Sequence, residues 1–221
     1  MAKTVTHKDT KSFFGSEDHI DASLKRTFPQ MIFEMLSENK PKNNQLNVFE
    51  IILNLAIDHG PDTPSAVRTI GAALNKKSVS DSVADGIKQI NDAHGGAIEP
   101  AMELLYKLNK NKFSVEQIVK TYVKSKKRLP GYGHRLYKDY DPRTDIIFNN
   151  IKTDEGENYI NLARRLEKEL ENSKGKLFPI NIDGAIAVAL CSFGWSPKLG
   201  KVVFIIARTP GLCAHYLNNK E

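Results

Sequence analysis

Apolar residues in this chain recur mostly three and four positions apart, the period of a helix that buries one face. Met31, Ile32, Met35 and Leu36 form such a stripe, which predicts a helix from Leu24 to about Asn39 with Ser23 as its cap. From Val48 to Asp58 the apolar positions run nearly all the way round, the pattern of a helix buried on several sides. Asn47 stands at its start, and Gly60 followed by Pro61 at its end. The same reading predicts helices from Asp62 or Thr63 to Leu74, Ser78 to Ala93 and Ala97 to Asn109. The capping box Ser114-Val115-Glu116-Gln117 opens the next. Arg143 to Ile151, Asn158 to Leu170 and Ala185 to Phe193 follow. Val202 to Ile206 alone would also suit a buried strand, but Pro197 suits a helix start and no partner strand is evident. Pro197 to Ala207 is therefore predicted helical, broken by Arg208-Thr209-Pro210-Gly211 before a last turn to Leu217. Met1 to Ile20 is polar and is expected to be an arm with little regular structure. No strand alternation and no internal repeat stand out, so the expected class is all-α, with about ten helices.

One stretch has no period at all: Leu129-Pro130-Gly131-Tyr132-Gly133-His134-Arg135-Leu136-Tyr137-Lys138-Asp139-Tyr140-Asp141-Pro142-Arg143. Two glycines bracket Tyr132, where the backbone can turn sharply or let a ligand approach. His134, Arg135, Lys138 and Arg143, with Arg128 just upstream, suit a ligand of several negative charges; the plainer alternative is a solvated surface turn. Four helix junctions show a related pattern, an ionisable residue beside glycine: His59-Gly60, His94-Gly95-Gly96, Gly133-His134 and Asp183-Gly184. Arg208 adds a cation where an apolar helix is expected to end. Singly, a histidine at a helix end satisfies carbonyls and the dipole, and an aspartate at a helix start is a cap.

Composition narrows the partners. Of 221 residues 40% are hydrophobic, enough for a sizeable core in one or two domains. The net charge of +6 is spread out, and the Lys124–Arg128 run is interrupted by Ser125, which favours small anions over a long nucleic acid. The rival class is a basic binding module, for example one for nucleic acid, motivated by the same net charge and basic run. Cys191 and Cys213 read as buried thiols in a reducing compartment. No run approaches membrane-spanning length, and a soluble cytoplasmic protein is expected. The histidines lack the close spacing of a zinc site, and Gly131-Tyr132-Gly133 lacks the third glycine of a dinucleotide loop.

Taken together, these motifs resemble the citrate synthase family in residue type and order, from about Phe28 to the end. Asp58-His59 resembles its substrate-holding Asp-His pair, and Ala93-His94-Gly95-Gly96-Ala97 with Glu99 its catalytic histidine motif. Gly131 to Arg143 resembles its coenzyme and oxaloacetate loop, Asn181-Ile182-Asp183 its catalytic aspartate segment, and Ala207-Arg208-Thr209 its arginine segment. The resemblance implies large and small helical domains, 1–97 with 181–221 and 98–180, with the active site in the cleft between them, in a homodimer or higher homo-oligomer. It implies carbon–carbon bond chemistry between acetyl-CoA and oxaloacetate, with a coenzyme A thioester as substrate and no metal or prosthetic group. In the roles it implies, Asp183 is the base, or the returning acid in cleavage. His94 donates to the thioester oxygen, and His134 handles the oxaloacetate oxygen. His59, Arg143 and Arg208 hold carboxylates, and Pro130, Gly131, Tyr132, Gly133 and Lys138 meet coenzyme A. Citrate synthases are longer at the N-terminus and carry a tail arginine that has no counterpart here; in brevity the chain looks more like citryl-CoA lyase and the lyase module of ATP citrate lyase. That module lacks a histidine at the place of His94. The expected reaction is citryl-CoA cleavage, with citrate synthesis and an inactive citrate synthase-like fold as alternatives.

Overall fold

The computed structural model describes residues 2–91 and 95–220. Two compact units divide the chain, Met1–Glu50 and Ile51–Glu221.

The first unit opens with strands where an irregular arm was expected. β1 (Val5–Lys8), β2 (Lys11–Phe14) and β3 (Glu17–Asp18) form an antiparallel sheet in the order β1-β2-β3, with Val5 opposite Phe14. Asp9 and Gly15, both at positive φ, make the turns. The strands are too short and too polar to show a two-residue period. Their apolar anchor is the single side chain Phe14, 2% exposed, with the Lys3 ammonium 5.1 Å from its ring centroid. Behind it Arg26 pairs with Glu17 at 2.7 Å and with the buried Glu34 at 2.9 Å. The single helix predicted from Leu24 to Asn39 is two: α1 (His19–Lys25), capped by Asp18 rather than Ser23, and α2 (Phe28–Ser37), capped by Thr27. Pro29 explains the break, since its ring excludes the carbonyl four residues back and it has no N–H to donate. α3 (Gln45–Ala56) starts two residues before the expected cap, Asn47.

In the second unit α4 (Pro64–Leu74) and α5 (Val79–Ile87) pack together, with Gly86 so close to Thr69 and the Ser65 carbonyl that no side chain fits. α5 stops well before Ala93; tight turn bonds from Lys88 and Gln89 close it. α6 (Ile98–Asn109) and α7 (Val115–Lys124), the latter with its Ser114–Gln117 capping box, follow as read from the sequence. After the aperiodic loop come α8 (Pro142–Asn150) and α9 (Asp154–Lys174), longer at both ends than predicted. α10 (Ile182–Ser192) lies at the centre, packed by α6, α8 and α9, with Ala185 through Cys191 all fully buried. Its small residues let these neighbours approach.

α11 (Leu199–Asn219) does not break at Pro210. The proline costs about 3 kcal/mol in a helix interior. Val203, Phe204 and Ala207 before it, and Leu212 and Tyr216 after it, are all buried on one continuous face. At roughly 1.5–3 kcal/mol for each large apolar side chain, that face outweighs the lost bond. Eleven helices are thus present among the described residues, and the class is all-α apart from the N-terminal sheet.

Candidate active site

The aperiodic loop is fastened to the start of α10. Tyr132 bridges Ile180, Gly133 N–H donates to the Pro179 carbonyl at 2.7 Å, and Asn181 N–H donates to the Gly131 carbonyl at 3.0 Å. The Asn181 side chain, which caps α10, also donates to the Gly133 carbonyl at 2.8 Å. These bonds need the backbones to touch. Gly131 has φ +86°, a Cβ there would lie 2.8 Å from the Gly184 Cα, and a Cβ on Gly184 would run into the Gly131 carbonyl oxygen. His134 and Asp183 therefore come from one rigid junction. Gly184→Ala should destabilise the chain by about 1–3 kcal/mol, the usual cost of overpacking. A urea midpoint equal to wild type would show that this junction is looser than the contacts imply.

Arg143 is the centre of the cluster. Asp141, fully buried and the cap of α8, accepts from Arg143 Nε at 2.9 Å and from Nη2 at 2.7 Å. That grip aims the guanidinium at two histidines: Nη1 lies 3.2 Å from His59 Nε2, and Nη2 lies 3.2 Å from His134 Nε2. His134 Nδ1 accepts from the backbone N–H of Leu136 at 3.0 Å and of Tyr137 at 3.1 Å. A neutral imidazole with Nδ1 accepting carries its proton on Nε2. Nε2 is then a donor facing another donor, an arrangement completed by an oxygen that accepts from both. Burial, then the charge of Arg143, push the His134 pKa down against the opposing pull of Asp141, a shift that favours the neutral ring.

Arg208 approaches from α11, fully buried. Its Nε donates to the Ala56 carbonyl at 3.0 Å, and its guanidinium lies 4.7 Å from the Phe204 ring centroid. Nη1 and Nη2 have no hydrogen-bond partner among the described residues. Burying an unsatisfied cation is costly. Its pKa falls to about 10, chiefly from burial, although Asp58 and Asp183 pull it back up. Asp58, paired with His215 at 3.0 Å, anchors the turn that carries His59. Burial alone would raise the Asp58 pKa; the His215 bond and charge, and the His59 and Gly60 N–H groups, lower it overall.

Asp183 is the second residue of α10. Burial raises its pKa to about 6, although the positive charges of Arg143 and Arg208 oppose the shift. A carboxyl so placed titrates near neutrality and suits general acid–base work.

His94 lies outside the described residues. Gly95 beside it is described, at φ +73°, where a Cβ would strike the Phe204 ring. That ring also stands 6.1 Å from His59, centroid to centroid. The structure thus brings His59, His134, Arg143, Asp183 and Arg208 into one network of charges.

A cavity of about 560 Å³ opens beside His134. Tyr132, Gly133 and Lys138 line it; Pro130 and Gly131 are not among its lining. Lys126, Lys127 and Arg128, the run that favoured the nucleic-acid rival, line it too. Lys174 and Phe178 also line it and were missed, because the end of α9 and the segment after it are distant in sequence. Among the described residues no His/Cys/Asp/Glu cluster could hold a metal, and no helix is long and apolar enough to cross a membrane.

Residues 3–221 match the family model for the citrate synthase C-terminal domain. The chain belongs to the citrate synthase family. It is 33% identical to the citrate synthase of Corynebacterium glutamicum over 75% of its own length, and 30% identical to the peroxisomal citrate synthase of Dictyostelium discoideum over 86%. In each case it spans 40% of the relative, so it covers about two fifths of the curated citrate synthases it matches. The solved citryl-CoA lyase of Hydrogenobacter thermophilus is 34% identical, with a TM-score of 0.89 over 99% of this chain and 86% of that one. The citrate synthases and the citryl-CoA lyase that it resembles are enzymes.

Proposed function

We propose that this protein cleaves citryl-CoA to acetyl-CoA and oxaloacetate and that the same groups catalyse the reverse condensation. The observation that carries the reading is the buried Arg208 guanidinium, whose Nη1 and Nη2 have no hydrogen-bond partner among the described residues, within reach of the charges of Arg143 and of an Asp183 whose pKa is raised, with Arg143 between two histidines. Two arginines and His59 suit a small dicarboxylate held by bidentate contacts. In condensation Asp183 takes a methyl proton from acetyl-CoA. The enolate carbon then attacks the carbonyl carbon of oxaloacetate, and His134 Nε2 gives its proton to the oxygen. In cleavage the same transfers run backwards, from the state with His134 Nε2 unprotonated and Asp183 protonated: the hydroxyl proton moves to Nε2 as the carbon–carbon bond breaks, and the enolate carbon takes the Asp183 proton. Two backbone donors at Nδ1 and Arg143 beside Nε2 stabilise the His134 ring once its proton has left. His94 donates to the thioester oxygen in this scheme. The basic cavity holds the phosphates of coenzyme A, with Lys138 and the Tyr132–Gly133 backbone. The domain division in this reading is 1–97 with 181–221 against 98–180, and the assembly is a homodimer or higher homo-oligomer.

The likeness to a citryl-CoA lyase along most of that chain favours cleavage over net citrate synthesis. Pure protein given citryl-CoA should release oxaloacetate without free thiol. If it instead converts acetyl-CoA and oxaloacetate to citrate and free coenzyme A at an ordinary enzymatic rate, the synthase reading replaces the lyase.

The raised Asp183 pKa predicts a pH profile. kcat/KM reports the free enzyme, so it should rise about tenfold per pH unit below about pH 6 and flatten above it. Cleavage and condensation use the same total number of enzyme-bound protons, so the limb belongs to both directions. A profile flat from pH 5 to 8 would remove Asp183 from the base role.

A further inference from the structure

His134 and Arg143 share a neighbour to which the motifs give no role. Tyr137, three residues after His134, lays its ring against the imidazole with centroids 4.8 Å apart and planes tilted by 33°. The Arg143 guanidinium carbon lies 5.3 Å from the centroid of the same ring. Tyr137 is 37% exposed. It therefore covers the two groups while contributing little to the core. The groups it touches are held in complementary ways. Asp141 grips Arg143 edge-on through Nε and Nη2, and His59 meets Nη1. The backbone donors at Nδ1 hold His134 at one corner. Such a corner contact leaves the ring free to swing about it, and an aromatic stack removes that freedom. Over the guanidinium the same ring supplies a cation–π contact and keeps water from one face.

We propose that Tyr137 is a positioning residue, its ring fixing the plane of the His134 imidazole and the pose of the Arg143 guanidinium so that both point at one substrate oxygen. This rests on the reading of those two groups as substrate-facing. Both contacts are made by the ring, so the hydroxyl is dispensable. The Tyr137 backbone N–H to His134 Nδ1 survives any substitution except proline.

The test uses the full chain with Tyr137→Leu, Tyr137→Ser and Tyr137→Phe. With citryl-CoA, the Leu and Ser variants should lose about tenfold in kcat with a smaller change in KM, because stacking and cation–π contacts of this kind are modest. The coenzyme portion, bound elsewhere, should hold KM. Tyr137→Phe should keep kcat within about twofold of wild type. In the free proteins, the His134 ring titration followed by NMR should move in the Leu and Ser variants and stay in place in Phe. Arg143, Asp141, Arg135 and Lys138, the charges that face the ring, are the same in all. Equal kcat and equal titration in all four proteins would overturn the proposal. A Phe variant as slow as Leu would also overturn it, by assigning the effect to the hydroxyl. Should wild type not turn over citryl-CoA at all, the functional reading fails, and the His134 titration alone decides the positioning role. Should the Ser variant not fold, the Leu variant carries the test.

Discussion

Asp183→Asn is expected to lower exchange of the acetyl-CoA methyl protons, and cleavage of citryl-CoA, by about 10²- to 10⁴-fold, the usual contribution of a positioned acid or base. Coenzyme A should still raise the melting temperature, because the basic cavity beside His134 does not include Asp183. The same substitution should stabilise the free protein. Asp183 has an ordinary value of 3.8 and a folded value of about 6, so the native state holds its proton more tightly than the unfolded chain does. That preference stabilises the fold below about pH 4 and is lost as pH rises through about 6, a change on the order of 2–3 kcal/mol. Asparagine does not titrate, so the variant should exceed wild type in stability at pH 8 by about that amount and match it near pH 4. Activity lost together with stability at pH 8 would point to a structural cap rather than a base. Normal cleavage in the variant would reject the mechanism.

Much of this candidate site is legible in the sequence because its ionisable residues sit at helix junctions beside glycine. His59-Gly60, Gly133-His134 and Asp183-Gly184 mark places where a side chain emerges and backbones approach, and the Gly131–Gly184 contact shows why a side chain is excluded there. Their order along the chain matches a family independently of the geometry. Other features depend on tertiary contacts that no local pattern encodes. Arg208 was read as the end of a helix, because Pro210 looks like a stop. The buried face of α11 carries the helix through that proline, and this places the guanidinium in the interior instead of at a solvated end. The N-terminal sheet was missed because its strands are held by one phenylalanine and an ion-pair network rather than by alternation. Asp141 was visible only as part of a motif, whereas its grip on Arg143 is what aims that side chain at both histidines. Lys126 and Lys127 stand in sequence only as part of a basic run, and their place around the same cavity as Lys138 is a tertiary fact.

Arg208→Met should separate stability from function more sharply. Methionine matches the length of the stem and adapts to irregular space. In the free protein it replaces a buried cation whose Nη1 and Nη2 have no partner among the described residues. Replacing buried charged groups by apolar residues of similar volume is often neutral or stabilising, by up to about 4 kcal/mol. The melting temperature without ligand should therefore rise. Against that, oxaloacetate should no longer raise it, because the carboxylate that completes the guanidinium has lost its partner. kcat/KM should fall about 10²- to 10³-fold, as expected when one side of a desolvated charge pair is truncated. Arg208→Lys should recover little, since an ammonium cannot reproduce the planar two-point contact. A further consequence follows from the network: Arg208 lowers the Asp183 pKa, so its removal should move the acid limb above pH 6. The opposite pattern, a less stable free protein with oxaloacetate stabilisation intact, would mean that the Ala56 carbonyl and the Phe204 ring are the whole purpose of this arginine. The substrate carboxylate would then bind elsewhere.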